Sequence, residues 1–191
     1  MRCFIAIDID EQIQKSLGDL QRRLQAEAGL DKSGVKWVKP ELMHLTLKFL
    51  GEVDDSRIPQ VCDIAGQVAK KYSGFEIDVA KVGYFGKSAA RVLWVGLTDA
   101  AGTLLSLQED LENQLAEAGW PKEQRRFSAH LTLCRIKNTK AGKRLAEISK
   151  GYADFAVGSA VADAVCVYQS QLRPAGPIYA RLAQYELKQE G

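Results

Sequence analysis

The sequence predicts an α+β fold built as two pseudo-symmetric lobes, each with an antiparallel sheet and helices. The first observation behind this prediction is that strand-like and helix-like segments are mixed along the chain, with several neighbouring strands compatible with hairpins. The second is that the chain has two similar halves, whose period of 86 residues is too long for a solenoid repeat. No linker or low-complexity stretch separates the halves, so residues 1–191 are predicted to form a single bilobal domain.

The first half begins with a strand and a helix. Residues 2–9 (RCFIAIDI) are rich in β-branched and aromatic side chains, which is typical of a strand. Asp10 can cap a helix that continues to Gly29, because apolar side chains recur there at helical spacing. These side chains are Ile13, Leu17, Leu20 and Leu24. The remaining predicted elements of this half are an extended piece over 35–38, a strand HLTLKFL that ends at Gly51, and a helix from Asp54 or Asp55 to about Lys71.

The second half repeats this order. Arg91–Leu97 (RVLWVGL) is a near-continuous apolar strand, and Thr98 or Asp99 caps the helix that follows it. Gly119 and Pro121 end this helix. Its apolar stripe consists of Leu104, Leu107, Leu111 and Leu115. The other predicted elements are an extended piece over 75–85, a strand over 126–137 (RFSAHLTLCRIK), a short helix near 140–150, and extended pieces over 153–188 that Pro174, Gly176 and Pro177 interrupt.

The chain has only two histidines, and each begins the tetrapeptide HLTL. Side chains alternate along a strand, so His44 and Thr46 point to one face while the two leucines of the motif enter the core. The two polar side chains are separated by roughly 6.8 Å, which lets them bind neighbouring oxygens of one group as large as a phosphate. His130 and Thr132 repeat this arrangement in the second half.

The paired histidines indicate acid–base chemistry. If the lobes face each other across a cleft, two imidazoles and two hydroxyls converge on one anion-sized space. One imidazole can then be neutral and the other protonated near pH 7, as hydrolysis of a phosphodiester requires. A single histidine on a strand is more often a structural residue at a sheet surface, but here His44 and His130 share one context, which favours function.

Composition and charge narrow the class of protein. Hydrophobic residues make up 46% and charged residues 26%, as in ordinary water-soluble globular proteins, and a net charge of +2 is too small to indicate a global nucleic-acid binder. Positive charge is concentrated around the HLTL motifs, with +2 over residues 31–50 and +4 over residues 120–137. This favours a phosphate-bearing ligand, although a solvated basic face would have the same composition.

Arg135 is the most interesting of these basic residues, because a guanidinium can pair bidentately with phosphate. Ideal strand alternation puts it on the face opposite His130, so its use requires a bulge, a twist or a strand end. Among the aromatic residues, Tyr84, Phe85 or Phe127 could stack on a base at the cleft. The residues interpreted most simply as core or lobe-packing side chains are Trp37, Phe49, Trp94 and Trp120.

Rival chemistries fit less well. No HxH or HExxH pattern supplies metal ligands, and no glycine-rich loop is present to hold a nucleoside triphosphate or a dinucleotide. A Cys134 nucleophile would lie roughly 13 Å along the strand from His130, outside hydrogen-bond reach. The four scattered cysteines are typical of reduced thiols in a cytoplasmic protein. Asp8 and Asp10 interrupt the opening apolar run, so neither export nor membrane insertion is expected.

These features together resemble the 2H phosphoesterase superfamily, and specifically the bacterial RNA 2',3'-cyclic phosphodiesterases, historically called 2'-5' RNA ligases. The resemblance runs almost end to end. It rests on WVKPELMHLTLKFLGEV, VGYFGKSAARVLWVGL, FSAHLTLCR and VYQSQLRPAGPIYARL. One departure is Gly86, where a proline is expected after the phenylalanine. It affects that loop and not the catalytic assignment.

The resemblance implies a bilobal fold with a pseudo-twofold active-site cleft, no metal or other cofactor, and hydrolysis of a 2',3'-cyclic phosphate to a 2'-phosphomonoester. His130 would be the proton acceptor that activates water, and His44 the proton donor to the departing 3' oxygen. Thr46 and Thr132 would bind the non-bridging oxygens, and Arg135 would help to neutralise the developing charge. The local chemistry of the residues leaves open which histidine is the acid, and only the resemblance assigns it.

The expected partners are RNA with 2',3'-cyclic phosphate ends or small cyclic nucleotides, and the chain is expected to be a monomer. Three alternatives remain open. The enzyme could cleave or reversibly join 2'-5' phosphodiester linkages, or it could act on a cyclic phosphate of an ADP-ribose-type metabolite. The protein could also be a non-catalytic RNA-binding module that uses the same basic cleft.

Overall fold

The structure is a computed structural model that describes residues 1–30, 34–174 and 176–189. Across these residues the chain forms nine strands and four α-helices. The strands are β1 (Arg2–Asp8), β2 (Val35–Trp37), β3 (His44–Glu52), β4 (Phe75–Phe85), β5 (Val92–Thr98), β6 (His130–Ile136), β7 (Ala156–Ala162), β8 (Ala164–Arg173) and β9 (Gly176–Glu186). The helices are α1 (Glu11–Ala28), α2 (Ile58–Ala69), α3 (Thr103–Glu117) and α4 (Thr139–Ser149).

The strands form two sheets, and every pairing between the named strands is antiparallel. One sheet has four strands in the order β3-β1-β8-β9, and the other has five in the order β2-β6-β5-β4-β7. The predicted α+β class with antiparallel sheets is therefore confirmed. Each HLTL motif lies at the start of its strand, on β3 in the four-stranded sheet and on β6 in the five-stranded sheet.

Most helix boundaries follow from local chemistry. The Asp10 carboxylate accepts the Ile13 N–H at the start of α1, and Gly29 adopts a left-handed conformation after its end, as predicted. The start of α3 differs from the prediction. Asp99 still accepts the N–H groups of Thr103 and Leu104, but the helix itself begins at Thr103. β6 also begins later than predicted, at His130.

Two helices each follow a strand of one sheet but pack on the other sheet. α1 follows β1 of the four-stranded sheet but packs against β7 and α4, on the five-stranded sheet. α3 follows β5 of the five-stranded sheet but packs against β3 and α2, on the four-stranded sheet. The buried apolar side chains of both sheets and all four helices form one continuous cluster. Each sheet is therefore covered in part by a helix that follows a strand of the other sheet.

Among the residues that the structure describes, no helix is both long and apolar enough to cross a membrane.

Candidate active site

A β-bulge lies at the last residue of each HLTL motif and determines which later side chains share the polar face of the histidine and threonine. On β3, Thr46 lies opposite Ala6 while Lys48 lies opposite Ile5, so Leu47 is the extra residue. The extra residue inverts the alternation beyond it. His44 and Thr46 are half-buried on the polar face, and Phe49, which is 56% exposed, joins them there instead of entering the core. The interpretation of Phe49 as a packing residue is therefore wrong.

The same bulge on β6 brings Arg135 to the face of His130. Thr132 lies opposite Trp94 while Cys134 lies opposite Leu93, so Leu133 is the extra residue. Leu131, Leu133 and Cys134 are buried, whereas Arg135 is exposed. The bulge that the use of Arg135 required is thus present, and Arg135 occupies on β6 the position that Phe49 occupies on β3.

Buried glutamines from the crossing helices bind the bulged residues. Gln21 of α1 donates from Nε2 to the carbonyl oxygens of Val38 and Leu133, at 2.8 and 2.9 Å. Gln108 of α3 donates to the carbonyl oxygen of Leu47 over a longer distance of 3.4 Å. In each half the carbonyl belongs to the extra residue of the bulge. The helix from one half therefore holds the HLTL strand of the other.

The two imidazoles are oriented in the same way by the backbone. His44 Nδ1 lies 3.0 Å from the Leu42 carbonyl oxygen, and His130 Nδ1 lies 2.6 Å from the Ser128 carbonyl oxygen. A carbonyl oxygen only accepts, so Nδ1 carries the proton and donates in both rings. In each histidine, Nε2 is the ring nitrogen that remains for a substrate.

Neighbouring charges of opposite sign distinguish the two imidazoles. Burial lowers the pKa of His44, while the Leu42 carbonyl and the negative charge of Asp8 act to raise it. Burial also lowers the pKa of His130, and although the Ser128 carbonyl opposes this, the positive charge of Arg135 lowers the pKa further. His44 is therefore the imidazole whose neighbour favours the protonated form, and His130 the one whose neighbour favours the neutral form.

Aromatic rings surround both histidines. Phe4 stacks on His44 with ring centroids 4.7 Å apart, and Tyr179 approaches the same imidazole edge-on at 5.2 Å. Phe85 meets His130 edge-on at 5.0 Å, and the centroid of Trp94 lies 6.4 Å from that ring. Phe85 is one of the residues that the sequence predicts could stack on a base. Trp94, which the sequence favours as a core residue, is only partly buried and lies at the border of the site.

Tyr179 and Arg135 link the surroundings of the two histidines. Burial raises the pKa of Tyr179, and the charge of Arg135 acts to lower it. Tyr179 also contacts His44, while Arg135 acts on His130. β3 and β6 also contact each other, so the surroundings of His44 and His130 adjoin.

Four residues around His44 were not predicted from the sequence: Phe4, Asp8, Tyr168 and Tyr179. Asp8 lies directly opposite His44 on β1, and the Tyr168 hydroxyl lies 2.7 and 2.8 Å from its two carboxylate oxygens. Arg181 lies 3.6 Å from the same carboxylate. The alternation of β1 could have indicated Phe4 and Asp8, but the pairing with β8 and β9 has no local signal in the sequence.

The Cys134 thiol lies on the opposite side of β6 from His130. It is fully buried, and burial raises its pKa to about 12, so it is a poor nucleophile. The part of the chain that the structure describes contains no group of three or more histidine, cysteine or acidic side chains that could hold a metal ion. Of the basic residues counted around the first motif, Lys32 lies outside the described residues.

A family model described as LigT-like phosphoesterase matches the chain twice, over residues 7–94 and over residues 95–179. Each match includes one HLTL motif. Among curated proteins, an RNA 2',3'-cyclic phosphodiesterase of Thermotoga maritima is 35% identical over 194 residues, covering 100% of this chain and 97% of that protein. Another, from Methanothermobacter thermautotrophicus, is 30% identical over 188 residues, covering 98% of this chain and 99% of that protein.

Solved structures show the same fold. A protein of Thermus thermophilus matches with a TM-score of 0.81 at 25% identity, and the match covers 100% of both chains. E. coli LigT complexed with 3'-AMP matches with a TM-score of 0.79 at 24% identity, covering 98% of each chain. The two-lobed architecture predicted from the internal repeat is thus shared with these proteins.

Proposed function

This chain belongs to the LigT-like phosphoesterase family, and from that membership we propose that it hydrolyses the 2',3'-cyclic phosphate at the end of an RNA to a 2'-phosphomonoester. The RNA 2',3'-cyclic phosphodiesterase activity of the relatives from T. maritima and M. thermautotrophicus supports this reaction. The structural observation that carries the proposal is the pair of bulged HLTL strands. We infer that their polar faces turn two imidazoles, two threonine hydroxyls and one guanidinium towards a common space, because β3 and β6 contact each other.

His130 is the proton acceptor and His44 the proton donor in this proposal. Nε2 of neutral His130 takes a proton from a water molecule, whose oxygen then bonds to phosphorus. The bond from phosphorus to the 3' oxygen breaks, and protonated Nε2 of His44 donates its proton to that oxygen. The neighbouring charges support this assignment, because Asp8 favours protonated His44 and Arg135 favours neutral His130.

The remaining side chains of the face stabilise the transition state. The hydroxyls of Thr46 and Thr132 donate to the non-bridging oxygens, and the Arg135 guanidinium offsets the charge that develops on them. Phe49 has the position on β3 that Arg135 has on β6, and its exposed ring supports stacking on the terminal base. The proposed acid, base and cation are all side chains of one chain. This supports a reaction that needs no metal ion, and it supports an enzyme that acts as a monomer.

The test is product analysis with an oligonucleotide that ends in a 2',3'-cyclic phosphate. Phosphorus NMR should show a 2'-phosphomonoester, and turnover should persist in EDTA. His44→Ala and His130→Ala should each slow turnover by about a hundred- to ten-thousandfold while the circular dichroism spectrum stays unchanged. Unimpaired hydrolysis by either variant would remove that histidine from the mechanism.

The same assay separates the alternatives. Binding without turnover would identify an RNA-binding module. New or broken 2'-5' linkages would indicate cleavage or ligation of such linkages. Preference for a cyclic phosphate of ADP-ribose type would indicate a phosphodiesterase that acts on such metabolites. Each of these outcomes contradicts the proposed activity on RNA ends.

A further inference from the structure

A second cation lies beside Arg135 at the edge of the candidate active site. Lys36 on β2 is directly opposite Arg135 on β6 in the antiparallel register. Directly opposed residues point to the same face of a sheet. The flanking pairs, Val35 with Ile136 and Trp37 with Cys134, place Ile136 and Cys134 in the core, so Lys36 and Arg135 both lie on the polar face, and both are exposed.

This arrangement is unfavourable without an anion. Like charges directly opposite each other on neighbouring strands destabilise a sheet. None of the ion pairs formed within residues 1–30, 34–174 and 176–189 includes Lys36 or Arg135. β2 is also the edge strand of its sheet, so the surface around Lys36 is open on one side. A cross-strand pair of cations with these properties is suited to a ligand that carries more than one negative charge.

Arg135 and Lys36 differ in their position relative to His130. Arg135 is the cation whose charge lowers the pKa of His130, in addition to burial. Lys36 is one strand further out, because β2 pairs only with residues 134–136 and does not extend alongside His130. An anion at Lys36 is therefore distinct from the phosphate that reacts between the imidazoles.

We propose that Lys36 binds a second phosphate of the substrate, namely the internucleotide phosphate on the 5' side of the terminal nucleotide. This inference rests on the proposed function, since it assumes that the cyclic phosphate occupies the face of His44 and His130. The subsite makes an RNA end a better substrate than a cyclic mononucleotide. Because Lys36 does not touch the reacting atoms, its contribution is to KM and not to kcat.

The experiment compares three substrates: a nucleoside 2',3'-cyclic phosphate, the same nucleotide with a 5'-phosphate, and a short RNA with the same cyclic end. Lys36→Met keeps most of the aliphatic stem and removes the charge. For the two substrates with a further phosphate, it should raise KM about three- to tenfold with kcat unchanged. For the bare nucleotide, neither constant should change, which also shows that the variant is folded.

Salt dependence gives an independent readout. Loss of one phosphate contact should make the logarithmic dependence of RNA binding on salt concentration shallower by about 0.7. Binding of the 2'-phosphorylated product RNA is measured alongside turnover. Wild-type protein that hydrolyses none of the three substrates contradicts the proposed function, whereas this product titration still measures the Lys36 contact.

The matched control is Lys122→Met. Lys122 and Lys36 each precede an HLTL motif by the same number of residues, and both are exposed. The Lys122 ammonium, however, donates to the Asn113 side chain at 2.5 Å and does not face Arg135. This variant should leave all three KM values unchanged. An equal rise in KM for all substrates with Lys36→Met, or no rise for any, would overturn the subsite.

Discussion

The two histidines differ in the residue that lies directly opposite each of them on the neighbouring strand. Both rings donate Nδ1–H to a backbone carbonyl two residues earlier, so the backbone does not distinguish them. Asp8 lies opposite His44, whereas Gly96 lies opposite His130. A carboxylate beside His44 acts to raise its pKa, and no carboxylate occupies the matching position beside His130.

Replacing Asp8 should lower the pH at which activity is lost on the alkaline side. Burial lowers the pKa of His44 and the Asp8 charge acts to raise it, so Asp8→Asn removes a raising effect and lowers the pKa. In the proposed mechanism His44 is the proton donor and must be protonated, so activity should be lost as pH rises through its pKa. The alkaline limb of kcat/KM should therefore move to lower pH, while the acidic limb, set by His130, stays in place.

Tyr168→Phe is the control for this effect. It removes the hydroxyl that donates to Asp8 but keeps the carboxylate beside His44. We expect the alkaline limb to stay at its wild-type pH. An acidic-limb shift in Asp8→Asn would instead mean that the acid and base roles are exchanged.

The two β-bulges decide what the HLTL strands can do. Without the extra residues Leu47 and Leu133, simple alternation would direct Phe49 and Arg135 away from the face of the histidines. The carbonyl oxygens of the extra residues accept hydrogen bonds from buried glutamines on α1 and α3. The bulge on each HLTL strand is thus held in place by a helix that is remote in sequence.

Gln21→Leu tests whether activity depends on the hydrogen bond from Gln21 to the bulge on β6. The change removes the Gln21 donor from the buried carbonyl of Leu133 and the part-buried carbonyl of Val38, which should cost about 1–3 kcal/mol of unfolding free energy. It should also lower kcat by about ten- to a hundredfold, because small displacements of a group that stabilises the transition state have large effects. The measurements are steady-state kinetics and urea unfolding.

A double variant separates positioning from general destabilisation. If Gln21 acts through Arg135, then Gln21→Leu combined with Arg135→Ala should be no slower than Arg135→Ala alone. Gln25→Leu, on an exposed position of the same helix, should leave both kcat and stability unchanged. Additive losses in the double variant would show that Gln21 supports only the fold.

At the scale of the whole molecule, the crossing of α1 and α3 ties the two sequence repeats together. Each sheet combines strands from both halves of the chain, and each is covered in part by a helix that follows a strand of the other sheet. Because both sheets draw strands from both halves, neither half contains a complete sheet. One continuous core results.

The chain should therefore unfold in a single cooperative transition. Trp94 lies on β5 of the five-stranded sheet, and the buried Trp120 follows α3, which covers the four-stranded sheet. Urea unfolding followed by the fluorescence of variants that retain only one of these tryptophans should give the same midpoint, and circular dichroism should agree with both. Separate midpoints for the two probes would mean that the lobes are independent domains.

The sequence by itself determined the elements and the chemical groups. Periodicity, caps and β-rich runs predicted the strands and helices, with β4 found at its predicted bounds, because these signals depend on near neighbours in the chain. The two HLTL tetrapeptides indicated the histidines and threonines, and the repeat predicted two lobes. The sequence also indicated that Arg135 could share a face of the strand with His130 only through a bulge, a twist or a strand end.

Only the tertiary structure decided where the bulges lie and which charges face each histidine. A bulge is a mismatch between two paired strands, and its position depends on residues that are distant in sequence, such as Leu133 on β6 and Leu93 on β5. The same holds for Tyr179, which reaches His44 from β9, and for Lys36, which meets Arg135 only through the pairing of β2 with β6. Contacts of this kind arise from packing of whole elements, and no short segment of the chain encodes them.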